Sequence, residues 1–147
     1  MMGTIFDVAY YILNELGEMS TMKLQKLCYY AQAWSLAWDG IPLFNEDFQA
    51  WANGPVCKEL YDVHKGEFLI ESNDLEVYIG DYEFSEDEIE TLSVVIGDYG
   101  HREAFWLSEL THSERPWRET RGALPLGERS TEIISKELMQ EYYSGLI

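Results

Sequence analysis

At 147 residues, 46% of them hydrophobic and 14% aromatic, the chain has the length of one domain and the apolar material for one packed core, which excludes disorder as its overall state. Asp and Glu number 27 against 10 Lys and Arg, giving a formal charge of -17, and a surface so short of cations cannot grip phosphate backbones, so direct nucleic-acid binding is excluded. Charge interrupts every apolar run, and Met1-Met2-Gly3-Thr4 has neither the basic nor the apolar region of a secretory signal, so a cytoplasmic protein with no membrane partner is expected.

Thr4 is placed to cap a first amphipathic helix whose apolar positions Ile5, Val8, Ala9, Ile12, Leu13 and Leu16 recur at three and four, with Gly17 as its stop. A longer helix opens at Ser20 or Thr21 and runs to Trp38 before Asp39-Gly40. Its apolar residues fill more than one stripe, so it should be central, with Leu24, Leu27, Ala31 and Trp34 in the core. From Ile41 to Pro55 the period becomes two, Phe48, Ala50 and Ala52 alternating against Asp47, Gln49 and Trp51, which predicts a strand or extended segment bounded by Pro42 and by Asn53-Gly54-Pro55. A short helix over Lys58 to Val63, with Leu60 inward, and a strand at Phe68-Leu69-Ile70 follow.

Glu67 to Glu90 holds ten acidic residues and no basic one, an acidic face. Within it Leu75, Val77 and Ile79 alternate as a strand would, and Ser85 with Glu88 forms a capping box ahead of Ile89, Leu92, Val95 and Ile96. Gly97 and Gly100 frame that helix's end, and another runs from about Glu103 to Leu110. His112 to Gly127, with Pro116, Gly122 and Pro125, is expected to be a loop, and a last helix opens at Ser130 or Thr131 through Ile133, Ile134, Leu138 and Met139. The fold class is therefore mainly α, a compact helical globule with a small antiparallel β element, in one domain over residues 1–147.

No phosphate loop, nucleophile elbow, paired-cysteine or His-Glu-x-x-His motif occurs, so no catalytic residue, metal ligand or cofactor is assigned. Cys57 and His64, seven apart, would lie about 10 Å apart along a helix, too far for a thiolate–imidazole pair. His101 and His112 flank a helix, and an imidazolium suits a helix C-terminus. Lys23 and Lys26 on the apolar second helix are expected to form internal ion pairs or to snorkel. Charges gathered on one face accelerate encounter with a cationic protein, although they also serve solubility.

The string Lys23-Leu24-Gln25-Lys26-Leu27-Cys28-Tyr29-Tyr30-Ala31-Gln32 resembles the opening signature of the Panacea domain family, the SocA-like antitoxins also described as phage-associated proteins. The likeness continues through Pro42-Leu43-Phe44, Phe48-Gln49-Ala50-Trp51, Asn53-Gly54-Pro55-Val56, Leu60-Tyr61, Leu107-Ser108-Glu109-Leu110-Thr111-His112 and Pro116-Trp117, spanning about residues 19–143. Lys58 departs from a proline common after that turn, and the charge exceeds what the family leads one to expect.

The resemblance implies a mainly helical fold and the antitoxin role in a two-gene toxin–antitoxin pair, neutralising a cognate protein toxin by direct contact. Its motif residues Lys23, Leu24, Lys26, Leu27, Tyr30, Gly54, Pro55, Val56, Leu60, Tyr61, His112 and Trp117 read as scaffold under that resemblance. The acidity points to a basic toxin, with Glu71, Asp74 and Glu76 steering it and partly exposed Tyr29, Trp38 and Trp51 supplying apolar contact. The alternative is an acidic, phage-encoded mimic of DNA that occupies a nucleic-acid-binding host or defence protein.

Overall fold

Thirteen side chains of one helix lose their solvent, and the rest of the chain is arranged around that fact. In the computed structural model, which describes residues 2–147, the helix is α2 (Thr21–Asp39), buried on nearly its whole circumference. The Ser20 hydroxyl accepts from the Lys23 amide at its start, and Gly40 closes it in the left-handed conformation (φ 68°). Against it pack α1 (Ile5–Leu16), α4 (Glu86–Tyr99), α5 (Ala104–Ser113) and α7 (Lys136–Ser144). Their inward stripes supply Ile5, Val8 and Ile12, then Leu92 and Val95, Leu107, and finally Met139 and Tyr143. The predicted capping box of Ser85 with Glu88 forms at α4, and Thr4 caps α1 as expected, completing a second box with Asp7. The protein is 58% helical, which makes it mainly α.

The β component is small and antiparallel. Strands β2 (Phe48–Trp51) and β3 (Gly54–Cys57) form a hairpin, and β5 (Ile133–Ile134) adds to the other edge of β2, giving the order β3-β2-β5. A separate two-residue ladder joins β1 (Met19–Ser20) to β4 (Leu69–Ile70). Helix α3 (Lys58–His64) follows β3 directly, with Leu60 inward as expected. Gly54 opens β3 with φ 121°, and a Cβ there would stand 2.7 Å from Lys26 Cε and 3.1 Å from Thr111 Oγ1, so no larger residue fits the turn.

Five expectations are corrected. Residues Ser72–Tyr78 form a 3-10 helix rather than the strand read from Leu75, Val77 and Ile79. The Asp74 carboxylate accepts from the Glu71 amide and closes the first turn, leaving Leu75 buried and Val77 84% exposed, which alternation on one face forbids. The predicted loop contains α6 (Arg115–Arg121): Pro116 lies in its first turn, where an amide hydrogen has no partner to lose. The last helix opens at Ser135, not Ser130 or Thr131, because Ile133 and Ile134 are taken by pairing with Gln49 and Phe48. Tyr29, expected to be partly exposed, is 1% exposed, since α7 covers the side of α2 on which it lies. Trp34, expected in the core, is half-buried and packs against it.

Candidate functional site

Two glutamines of α2 organise the interior, each using its side-chain amide as a peptide group would. Gln25 Oε1 accepts from the Cys57 amide at 2.8 Å while its Nε2 donates to the Cys57 carbonyl at 3.2 Å. The same Nε2 stands 3.0 Å from His64 Nε2, so that ring nitrogen accepts and the imidazole proton sits on Nδ1. Gln32, two turns along, accepts from the Leu43 amide at 2.7 Å and donates to the Phe44 carbonyl at 2.8 Å. Cys57 and His64 are thus linked through Gln25. Burial pushes the Cys57 thiol up to about 12 and His64 downward, so at neutral pH they are a thiol and a neutral ring.

A second network joins three tyrosines to one acid. Tyr30 and Tyr143 each donate to Glu114 Oε1 at 2.7 Å, and the Tyr143 and Tyr29 hydroxyls meet at 3.2 Å. Burial raises the Glu114 carboxyl, and the two hydroxyl donors oppose that rise. Nearby, Trp117 donates to the Trp51 carbonyl at 2.8 Å, and Arg121 lies over the Trp117 ring and donates to the carbonyls of Ala50, Pro125 and Glu128. His112 lies in the last turn of α5 as expected, stacked on Trp117 with centroids 4.0 Å apart, and burial shifts its pKa down.

Lys26 departs from its expected ion pair or snorkel. It is fully buried beside Gly54 and Thr111, its Nζ has no hydrogen-bond partner, and desolvation pushes its ammonium down to about 7. Lys23 is half-buried and shifted down by burial, with Glu103 opposing that shift. Leu24, Leu27 and Leu60 have no exposure, Pro55 and Val56 lie buried in β3, and Tyr61 meets Trp51 edge-on at 4.7 Å. Glu114, Gln25 and Gln32 were not predicted as network centres. Their polarity inside apolar surroundings was visible in the sequence, but their partners lie on other elements.

The predicted contact residues separate on the surface. Trp38 is 42% exposed on the last turn of α2, whereas Trp51 is half-buried and donates to its neighbour Gln49. Glu71, at the start of the 3-10 helix, and Asp74 and Glu76 on it are exposed, and Asp74 lines a groove with Leu69, Val77 and Tyr78. The acids that share a cleft with Trp38 are instead Asp39, Asp87 and Glu90, brought there by the packing of α4 on α2. Among the described residues three ion pairs form, Lys58–Asp62, Arg115–Glu119 and Lys136–Asp47, so most of the 27 acids have no cation within the chain. No helix among those residues is long and apolar enough to cross a membrane.

A family model described as antitoxin SocA-like, Panacea domain, matches residues 24–118. The matched segment runs from α2 through the hairpin to α6 and includes both glutamine clamps, Glu114 and Trp117. No curated protein and no solved structure gives a match.

Proposed function

The chain belongs to the SocA-like antitoxins of the Panacea domain, and we propose that it neutralises a cognate protein toxin by direct contact, using its acidic surface to capture a basic partner. The family supports an antitoxin, regulatory and non-enzymatic role. The observation that carries the finer reading is a division of labour. Signature side chains such as Gln25, Tyr30, Gly54 and Trp117 are spent inside the fold, while a net charge of -17 stands outside it with three ion pairs to offset it. An interior that fixes shape and an exterior of unpaired carboxylates suit a binding module whose specificity lies in its surface. We place its action in the cytoplasm, where its two free thiols stay reduced and a toxin directed at nucleotides or RNA finds its target.

Association kinetics test this reading. With the purified product of the neighbouring gene, the association rate should fall steeply as salt rises. The triple variant Glu71→Gln, Asp74→Asn, Glu76→Gln should associate about three- to tenfold more slowly at low salt, with its dissociation rate nearly unchanged. Asparagine keeps an acceptor for the Glu71 amide, so the cap of the 3-10 helix survives the change. An association rate indifferent to both salt and these three substitutions would remove the acidic face from the docking surface.

A further inference from the structure

The cleft between the end of α2 and the first turns of α4 combines features that acidity alone does not produce. Trp38 forms its wall, held from behind: its indole stacks on Trp34 with centroids 5.1 Å apart and planes 28° apart. Trp34 is anchored in turn by donating Nε1 to the Tyr99 hydroxyl at 2.9 Å. One face of the exposed ring is therefore covered by protein, and the ring's position is fixed before any partner arrives. Around it stand Asp39, Asp87 and Glu90, with Thr91 and Val94 completing the lining. None of the three carboxylates belongs to an ion pair among the described residues. Helix α2 also ends here with no basic residue in its last turn, so the partial negative charge of a 19-residue helix adds to theirs. The cleft's volume of about 330 Å³ is at the small end of the range for ligand pockets, suited to one long side chain.

The chain pairs arginine with tryptophan twice elsewhere, Arg102 over Trp106 at 4.1 Å and Arg121 over Trp117 at 4.8 Å. Trp38 offers the ring of such a pair, with unpaired carboxylates beside it, and lacks the guanidinium. We infer that this cleft receives an arginine side chain of the partner protein, stacked on Trp38 with its N–H groups directed to the carboxylates of Asp39, Asp87 and Glu90. A guanidinium fits better than an ammonium because it is planar, stacks on an indole and presents a fork of donors to a carboxylate, whereas lysine offers a strongly hydrated point charge. The inference deepens the antitoxin reading in naming the partner as basic, but the cleft's chemistry can be examined without any toxin.

The test is a titration of the ¹⁵N-labelled chain with the blocked peptide acetyl-Gly-Arg-Gly-amide, following the indole Nε1–H of Trp38 by NMR, with Trp38→Phe identifying the signal. The same peptide with citrulline, uncharged and nearly isosteric, and with lysine serves as comparison. A saturable shift in the millimolar range is expected with arginine and none with citrulline, while lysine binds about threefold or more weakly. Glu90→Gln should raise the dissociation constant about threefold or more in a protein whose spectrum otherwise shows an intact fold. Equal responses to arginine and citrulline, or arginine binding indifferent to Glu90→Gln, would overturn the inference. If the peptide binds as described while the chain neutralises no toxin, the cleft stands and the antitoxin reading falls. A neutralised toxin with no peptide response defeats the cleft alone.

Discussion

Lys26→Met is expected to unfold at a higher urea concentration than the parent at pH 7 and to lose the parent's gain in stability between pH 7 and pH 9. The parent buries the Lys26 amine completely with no partner for Nζ, and desolvation brings its ammonium down to about 7. An unfolded lysine keeps its proton until about pH 10.4, so between the two values the unfolded state binds more protons and stability rises with pH. The slope approaches about 1.4 kcal/mol per pH unit, giving a rise of about 2 kcal/mol from pH 7 to 9. Below pH 7 the destabilisation is fully present. His64 and His112, both shifted down by burial, add a rise only below about pH 6.5. The buried thiols act in the opposite sense once the unfolded cysteines ionise, near pH 8.5 and above.

Methionine fills nearly the same volume without a charge to desolvate, so the gain at pH 7 should be about 2 to 4 kcal/mol. Thr111, which donates to the Ser108 carbonyl, loses no partner by the change. Urea midpoints of both proteins at pH 7, 8 and 9 provide the check. Parallel pH profiles would show that Lys26 is not the titrating group.

Glu114→Ala is expected to cost about 3 to 5 kcal/mol, because it strands the buried Tyr30 hydroxyl, leaves Tyr143 only the longer contact with Tyr29, and opens a void between α2 and α7. Glu114→Gln keeps an oxygen that can accept from both hydroxyls and should cost about 1 to 2 kcal/mol. The glutamine variant carries a second signature. Since burial raises the Glu114 carboxyl, its contribution to stability declines as pH rises through the range just above its ordinary value, and Glu114→Gln should abolish that decline. Urea unfolding across pH 4 to 7 separates the two variants. Equal losses for alanine and glutamine would mean that the network contributes through volume alone.

Local signals were legible wherever a residue's own neighbours decide its conformation. Thr4, Ser85 with Glu88, and Gly40 mark helix ends in the sequence and in the fold alike. The wide apolar face of α2 made it central, as it is. What stayed hidden was decided by distant partners. Ile133 and Ile134 satisfy a helical pattern and a strand pattern equally, and pairing with β2 settles between them. Pro116 reads as a breaker until its position in a first turn is known. At the candidate site, Trp38 could be picked out as an amphipathic residue near a helix end, but its companions Asp87 and Glu90 come from α4 and read as first-turn charges suited to a helix dipole. Tyr29 misled because its hydroxyl finds its partner in Tyr143, on the last helix.

The central claim is that the chain neutralises a protein toxin by holding it, and co-expression with the neighbouring gene measures this most directly. That gene's product alone should arrest growth, and the intact chain supplied with it should restore growth and copurify with the product. Rescue should survive the triple acidic substitution, which chiefly slows encounter, and fail with a folded Trp38→Ala chain, which lacks the exposed ring proposed as the apolar contact. A neighbouring product that is harmless on its own, or one whose toxicity is relieved without any complex being recovered, would contradict neutralisation by direct contact.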